Sequence, residues 1–181
     1  MEFYQEPEVN RLHSVISWIV DLIVAVALAI YVVYAFGERV EMYGGSMNPV
    51  LNSGDVVLVN RLAYDLGSPE RFDIAVFTNG SSMNIKRIIG LPGETVQITG
   101  NTIHIDGRPL TADHDLNLAS IAGLAESPIE LSGEEYFLLG DNRESSEDSR
   151  FSGIGNVQKN QLVGKVWLRF QPFSRFGLIP Y

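Results

Sequence analysis

Ser46 lies in a setting that suits either a turn residue or a nucleophile. It stands between two glycines and a Met-Asn-Pro sequence in YGGSMNPVLNSGDVVLVN, residues 43–60, after one extended run and before another. A serine of this kind is an ordinary turn residue, or it is activated by a neighbouring base. Histidine is the usual base, and none occurs between His13 and His104. A catalytic Ser46 would therefore need a different base.

The three histidines form no catalytic or metal-binding pattern. His13 precedes a long apolar segment, His104 lies in an alternating strand pattern, and His114 lies between two aspartates. Adjacent residues such as those around His114 rarely converge on one metal ion. The chain also contains no cysteine. We therefore expect no metal site and no cofactor.

Lys86 is the strongest candidate for an alternative base. A lysine activates a serine only as a neutral amine, and burial among apolar groups favours that form by lowering a pKa that is ordinarily about 10.4. Lys86 lies in NIKRIIG, beside Ile85 and with Ile88 on its own strand face. A lysine in an apolar strand also commonly extends its amine to the surface. The extent to which the Lys86 amine is buried would distinguish a catalytic lysine from one that extends to the surface.

The segments that must position these residues are mostly β-strands. DVVLVN and LVGKVWLRF are apolar strand patterns. Asn79-Gly80 joins DIAVF to MNIKRIIG, and Gly100-Asn101 joins TVQIT to TIHID, as in two β-hairpins. EMYGGSM alternates with the strand period, which places Val40, Met42 and Gly44 on the face of Ser46. The fold class is therefore mostly β and antiparallel, and residues 111–135, acidic and rich in alanine, are predicted to be a small irregular cap.

The charge of the chain argues against nucleic acid as a partner. The 181 residues carry a formal net charge of −9. Ten acidic residues lie between Asp113 and Asp148, where Arg143 is the only lysine or arginine. Phosphate binding requires a basic face.

Residues 16–36, ISWIVDLIVAVALAIYVVYAF, are long and apolar enough to cross a bilayer as a helix of roughly 30 Å. Aromatic residues near both ends resemble the two belts of a spanning helix, and Asp21 lies about one turn from the start. A buried helix of a soluble protein is one alternative, and a cleavable signal peptide is another. The preceding segment carries three glutamates and one arginine where a signal peptide has a basic region. We therefore predict an uncleaved anchor.

The motifs taken together resemble a known family. GGSMNPVL, GDVVLVN, RFDIAVF, NIKRIIGLPGE and GDNRESSEDSR occur in the order of the five sequence blocks of the bacterial type I signal peptidases. Those enzymes are membrane-anchored serine proteases with a Ser/Lys dyad, and the compact size with one anchor resembles their Gram-positive form. The resemblance runs from the anchor to LVGKVWLRF.

The resemblance assigns a role to each matching residue. It implies that Ser46 is the nucleophile, Lys86 the general base, and Ser146 the serine whose hydroxyl positions the lysine amine. The residues implied to shape and brace the site are Arg87, Asp141, Arg143, Asp148 and Arg150. The residues implied to line the substrate pockets are Val40, Met42, Gly44 and Ile85; ordinary core packing is the alternative for the apolar ones.

Five positions depart from the family pattern. Gly44 replaces a hydroxyl residue that often supplies the second donor to the oxyanion, and Phe72 replaces a glycine before Asp73. The usual threonine after the proline is Val50, and the usual Asp-Asn after GDNR is Glu144-Ser145. Neither the change at Val50 nor that at Glu144-Ser145 removes a presumed catalytic group, whereas Gly44 leaves the second oxyanion donor unassigned.

The resemblance also implies a substrate and a location. Family members cut preproteins after small residues, typically in an Ala-X-Ala pattern, so the expected partners are signal peptides and the lipid bilayer. The expected organisation is a cytoplasmic leader at 1–15, a single anchor at 16–36 and an extracytoplasmic peptidase domain at 37–181. Charge does not decide the orientation, because Arg11 on one flank is matched by Arg39 on the other.

Two other functions compete with this interpretation. A self-cleaving repressor of the SOS type uses the same dyad but carries a DNA-binding head where this chain has a short acidic leader. An inactive anchored β domain that only binds exported chains is the non-enzymatic alternative. Ser46, Lys86 and Ser146 are all present, which favours the enzyme.

Overall fold

The computed structural model describes residues 11–111 and 118–179. The chain forms two compact units, Met1–Gly37 and Glu38–Tyr181. The first contains helix α1 (Arg11–Phe36), and the second is a domain of β-strands with one short helix, α2 (Leu62–Leu66). The predicted fold class, mostly antiparallel β after an apolar N-terminal helix, is confirmed.

Helix α1 has the length and composition of a membrane span. The segment His13–Tyr31 is long and apolar enough to cross a membrane, and none of its side chains is buried within the protein. A helix so apolar and so exposed to its surroundings fits a membrane-anchored protein.

The strands belong to two sheets. In chain order they are β1 (Gly37–Glu41), β2 (Val56–Asn60), β3 (Ile74–Asn79), β4 (Ser82–Gly90), β5 (Thr95–Thr99), β6 (Thr102–Ile105), β7 (Arg108–Pro109), β8 (Ile129–Glu130), β9 (Glu135–Leu139), β10 (Val157–Gln158), β11 (Leu162–Gln171) and β12 (Gly177–Leu178). The larger sheet has the order β1-β2-β11-β3-β4-β9-β10, with β12 also paired to β11. The smaller sheet has the order β7-β6-β5-β8.

Both predicted hairpins are present. Strands β3 and β4 pair antiparallel up to Asn79 and Ser82, so the bend lies one residue later than predicted, at Gly80 and Ser81. Strands β5 and β6 pair up to Thr99 and Thr102. The intervening Gly100 and Asn101 both have positive φ, as the favoured two-residue hairpin turn requires.

The approach to Ser46 differs from the predicted continuous strand. Val40 and Met42 are buried in the core of the larger sheet, as the alternation predicts. Strand β1 nevertheless ends at Glu41, and Gly44 has a φ of +75°, in the left-handed region that glycine adopts at little cost. The prediction that Gly44 and Ser46 continue the strand face is therefore wrong, because the chain turns at Gly44.

The segment predicted to form a cap is partly described. Residues 112–117, which include His114, lie outside the described residues. The rest contains a short 3₁₀ helix, Gly123–Glu126, and strand β8, which pairs with β5 in the smaller sheet. Ala119 and Ala125 are buried in the core of that sheet. The role of this segment as a cap stays a prediction.

Candidate active site

The turn that carries Ser46 is anchored by the residue after it. The Met47 side chain is fully buried in the core of the larger sheet, whereas Ser46 is half-buried. The Asn48 amide donates to the Gly45 carbonyl and the Leu51 amide to the Met47 carbonyl. The turn therefore presents the Ser46 hydroxyl on a fixed backbone.

Lys86 reaches this hydroxyl from strand β4. Its neighbour in the register is Ala75 of β3, within the larger sheet. Only 5% of Lys86 is exposed, so the amine does not extend to the surface. Lys86 Nζ lies 2.7 Å from Ser46 Oγ, within hydrogen-bond distance.

The surroundings of Lys86 favour its neutral form. Burial lowers the pKa of the Lys86 amine from its ordinary value of 10.5, while the charges of Asp148 and Glu147 act in the opposite direction. Among the described residues no carboxylate forms an ion pair with Lys86. A buried amine without a carboxylate partner favours the neutral state, and only the neutral amine can accept a proton from a hydroxyl.

The segment after β9 holds the Ser46 turn in place. The Asn142 amide donates to the Ser46 carbonyl over 3.0 Å, and Asn142 Nδ2 donates to the Gly45 carbonyl over 3.1 Å. These bonds fix the backbone on both sides of the Ser46 amide. Asn142 was not among the predicted site residues, although it lies within the GDNRESSEDSR motif.

Arg87 and Asp141 form a buried ion pair beside the two candidates. Arg87 Nε and Nη2 each donate to one oxygen of the Asp141 carboxylate over 2.7 Å, and Nη1 donates to the Phe72 carbonyl over 2.8 Å. Both side chains are almost fully buried. The pair connects the residue after Lys86 to the residue before Asn142, so it joins the two segments that meet at Ser46.

Asp148 and Arg150 form a second pair, with no exposed surface. Arg150 Nε and Nη2 donate to the two oxygens of Asp148 over 2.8 and 2.9 Å, and the Gly140 amide donates to Asp148 over 3.0 Å. The remaining Arg150 donors reach the carbonyls of Ile121 and Arg143. The pair therefore closes residues 140–150 into a rigid loop.

Arg143 fastens the same loop to the segment predicted to be a cap. Its guanidinium donates to the Gly140 carbonyl over 2.8 Å and to the Leu118 carbonyl. Burial lowers the pKa of Arg143 to about 10, opposed by the charge of Asp141. The side chain still carries its charge at neutral pH.

Ser146 lies on the inner side of the loop. It is 7% exposed, and its hydroxyl has no hydrogen-bond partner among the described residues. Gly140 separates it from the Ser46 turn: a Cβ at this position would overlap both the Ser146 hydroxyl and the Ser46 carbonyl. The absent side chain of Gly140 therefore lets the two serines approach the same point.

Two cavities meet at Ser46 and Lys86. The first, about 470 Å³, lies between residues 39–43 and residues 82–86. Val40, Met42 and Ile85 line it, and all three are buried in the core of the larger sheet. They are therefore pocket-lining and core residues at once.

The second cavity, about 380 Å³, also borders Ser46 and Lys86. Its lining includes Gly44, Gly45, Ser145, Glu147 and Gly153. Gly44 thus lines this cavity and not the one that Val40, Met42 and Ile85 share. The described histidines lie elsewhere, His13 in α1 and His104 in β6.

Comparison with known proteins gives a consistent result. A family profile described as "Signal peptidase, peptidase S26" matches residues 15–171. A signal peptidase I from Bacillus caldolyticus is 35% identical over 176 residues, which cover 88% of this chain and 91% of that protein. A signal peptidase I from Bacillus licheniformis is 31% identical over 180 residues, with 94% and 96% coverage. The crystal structure of a signal peptidase I from Enterococcus faecalis V583 is 33% identical, has a TM-score of 0.45, and covers 54% of this chain and 95% of that one.

Proposed function

Because this chain belongs to the signal peptidase family, and is therefore a peptidase that removes signal peptides, we propose that it acts as a Ser/Lys endopeptidase. Ser46 is the nucleophile and Lys86 the general base. The observation that carries the proposal is the 2.7 Å separation of Lys86 Nζ and Ser46 Oγ at a buried amine.

Acylation begins with transfer of the Ser46 hydroxyl proton to neutral Lys86. The oxygen forms a bond to the scissile carbonyl carbon, and a tetrahedral oxyanion results. When the C–N bond breaks, the Lys86 ammonium returns the proton to the leaving amine. The signal peptide is then held as an ester on Ser46, and Lys86 is neutral again.

Deacylation repeats the sequence with water. Lys86 accepts a proton from the water as its oxygen attacks the ester carbonyl, and then protonates the departing Ser46 oxygen. The Ser46 amide donates to the oxyanion in both steps. Asn142 supports this role, because its bonds to the Gly45 and Ser46 carbonyls fix the peptide group that contains that amide and the peptide group that follows it.

The other matched residues act through these two. Ser146 is a positioning residue: its buried hydroxyl is available to the Lys86 amine across the space that Gly140 leaves open. The pairs Arg87–Asp141 and Asp148–Arg150, with Arg143, keep residues 140–150 rigid. Preorganisation of this kind avoids reorganisation during the reaction.

The first cavity accounts for a preference for small residues before the cut. A substrate strand adds to the edge of the larger sheet along β1 and directs alternate side chains into the cavity. The walls at Val40, Met42 and Ile85 belong to the packed core, so they do not retreat from a larger side chain. Alanine at the first and third positions before the cut fits this space.

Helix α1 gives the site its location. We propose that residues 1–15 are cytoplasmic, that 16–36 form a single anchor, and that the domain of residues 37–181 is extracytoplasmic, with a cap near 111–135. Precursors emerge at the membrane surface, so tethering raises the effective concentration of the enzyme near its substrates.

The test is cleavage of a purified precursor with an Ala-X-Ala site by the full-length protein in detergent. Ser46→Ala serves as the matched control, and mass spectrometry identifies the new ends. A single cut after the second alanine, absent in the variant, is the expected result. Failure of the folded wild-type protein on several precursors, combined with retained peptide binding, would instead favour an inactive binding domain.

A further inference from the structure

The cavity beyond Ser46 has an arrangement that the proposed reaction does not use. Under the proposed function, residues before the cut occupy the first cavity, along β1. A peptide whose scissile bond lies at Ser46 must continue past it, and the second cavity begins there, sharing Ser46 and Lys86 with the first. Under the proposed function, the residues after the cut are therefore expected in the second cavity.

This second cavity is polar and carries a single carboxylate. Its lining consists largely of glycines and of serine and asparagine side chains, namely Gly44, Gly45, Asn79, Ser82, Asn84, Ser145 and Gly153. Glu147 and Lys86 are the charged side chains among the described residues that line it. Lys86 is neutral when the peptide binds for attack by Ser46, so Glu147 sets the charge of the cavity at that stage.

The Glu147 carboxylate lies at the cavity wall, in contact with Gly153. A Cβ added at Gly153 would overlap its Oε1, so the carboxylate packs directly on that glycine. Asn79 Nδ2 donates to the Gly153 carbonyl over 2.9 Å, which fastens this wall to the end of β3. The charge of Glu147 also raises the pKa of the Lys86 amine, against the larger lowering by burial.

We propose that Glu147 makes the leaving-group side of the site selective for a basic residue, lysine or arginine, among the first two residues after the cut. An acidic residue there is disfavoured for the same reason. Glu147 is exposed, so solvent weakens the attraction, and we expect about a two- to fivefold difference in kcat/KM for each unit of charge. The inference rests on the proposed function, because it needs a substrate that is cut at Ser46.

The experiment compares precursors that are identical except for lysine, glutamine or glutamate at the first or second position after the cut. The measured quantity is the ratio of kcat/KM values for the lysine and glutamate precursors, so a change in the common chemistry cancels. The wild type should favour lysine, Glu147→Gln should bring the ratio near one, and Glu147→Lys should reverse it. Added salt should reduce the wild-type ratio.

Glu144→Gln is the matched control. Glu144 lies in the same loop and is exposed, but it does not line the cavity, so its removal should leave the ratio unchanged. A wild-type ratio near one, or a ratio that survives Glu147→Gln, overturns the inference while leaving the proposed function intact. No cleavage of any precursor by the wild type overturns the proposed function, and the inference with it.

Discussion

Two lysines lie in one row of the larger sheet and have different surroundings. Ala75 of β3 is the register partner of Lys86 on one side and of Lys165 of β11 on the other. Lys165 forms an ion pair with Asp73, with 2.6 Å between Nζ and Oδ1. Lys86 instead faces the hydroxyl of Ser46 and forms no ion pair within the part of the chain that the structure describes.

The difference bears on which protonation state each amine favours. An ion pair requires the ammonium form, so Lys165 contributes to folding through its charge. Burial without such a pair lowers the pKa of Lys86 and makes the neutral amine accessible. Position in an apolar strand is common to both residues, and the partner of the amine distinguishes them.

The largest expected effect is on turnover. Lys86→Met should lower kcat by at least about 10²–10⁴-fold, because it removes the general base. Lys165→Met should retain turnover within a few-fold under conditions where it is folded. Precursor cleavage with circular dichroism on each variant checks both. Substantial activity of folded Lys86→Met would mean that another group is the base.

The pH dependence of the wild type should reflect the same amine. Only neutral Lys86 accepts the Ser46 proton, so the rate should rise with pH about tenfold per unit until the lowered pKa is passed, and then level off below pH 10.5. Initial rates at saturating and at low precursor concentration give the profile. A rate that does not change between pH 5 and 10 would contradict a titrating Lys86.

Stability should show the opposite ranking of the two lysines. Lys165→Met leaves the Asp73 carboxylate, only 4% exposed, without its ion-pair partner. Tyr64 and the Glu70 amide still donate to it, so we expect a loss of about 1–3 kcal/mol in the free energy of unfolding. Urea unfolding of the unit Glu38–Tyr181 in the full chain measures this, and an unchanged midpoint would mean that the pair is not stabilising.

The smallest effect is a gain in stability for Lys86→Met at neutral pH. A lowered pKa means that the folded state binds fewer protons than the unfolded state between that pKa and 10.5. Wild-type stability therefore rises with pH in this window, by up to about 1.4 kcal/mol per unit, and the advantage of the variant shrinks as pH approaches 10.5. An advantage that grows with pH would contradict a lowered pKa.

The sequence predicted best those features that depend on the conformational preferences of neighbouring residues, such as hairpin turns. Asn101 after Gly100 predicts a hairpin because both residues accept positive φ, and the structure has this turn. Before Ser46, the chain turns at Gly44, although the alternating apolar pattern of Val40 and Met42 predicted a longer strand. Here the conformational freedom of Gly44 outweighed the period-two pattern.

Contacts between distant segments could not be read in the same way. The bonds of Asn142 to Gly45 and Ser46, and the packing of Glu147 on Gly153, depend on tertiary structure. Phe72 shows a related limit. Its φ of +73° keeps the left-handed backbone that a glycine would adopt, and its carbonyl accepts a bond from Arg87, so the position retains the geometry without the usual residue.

The bonds between Asn142 and the Ser46 turn also join two segments that are made at different times during synthesis. Asn142 and Gly45 are 97 residues apart in sequence. Translation delivers the N-terminal helix and Ser46 long before β9 and the loop that follows it. A nascent chain that ends before residue 140 therefore lacks the two bonds that Asn142 makes to the Ser46 turn, so the support of the Ser46 backbone is completed only after β9 and the loop that follows it have been made.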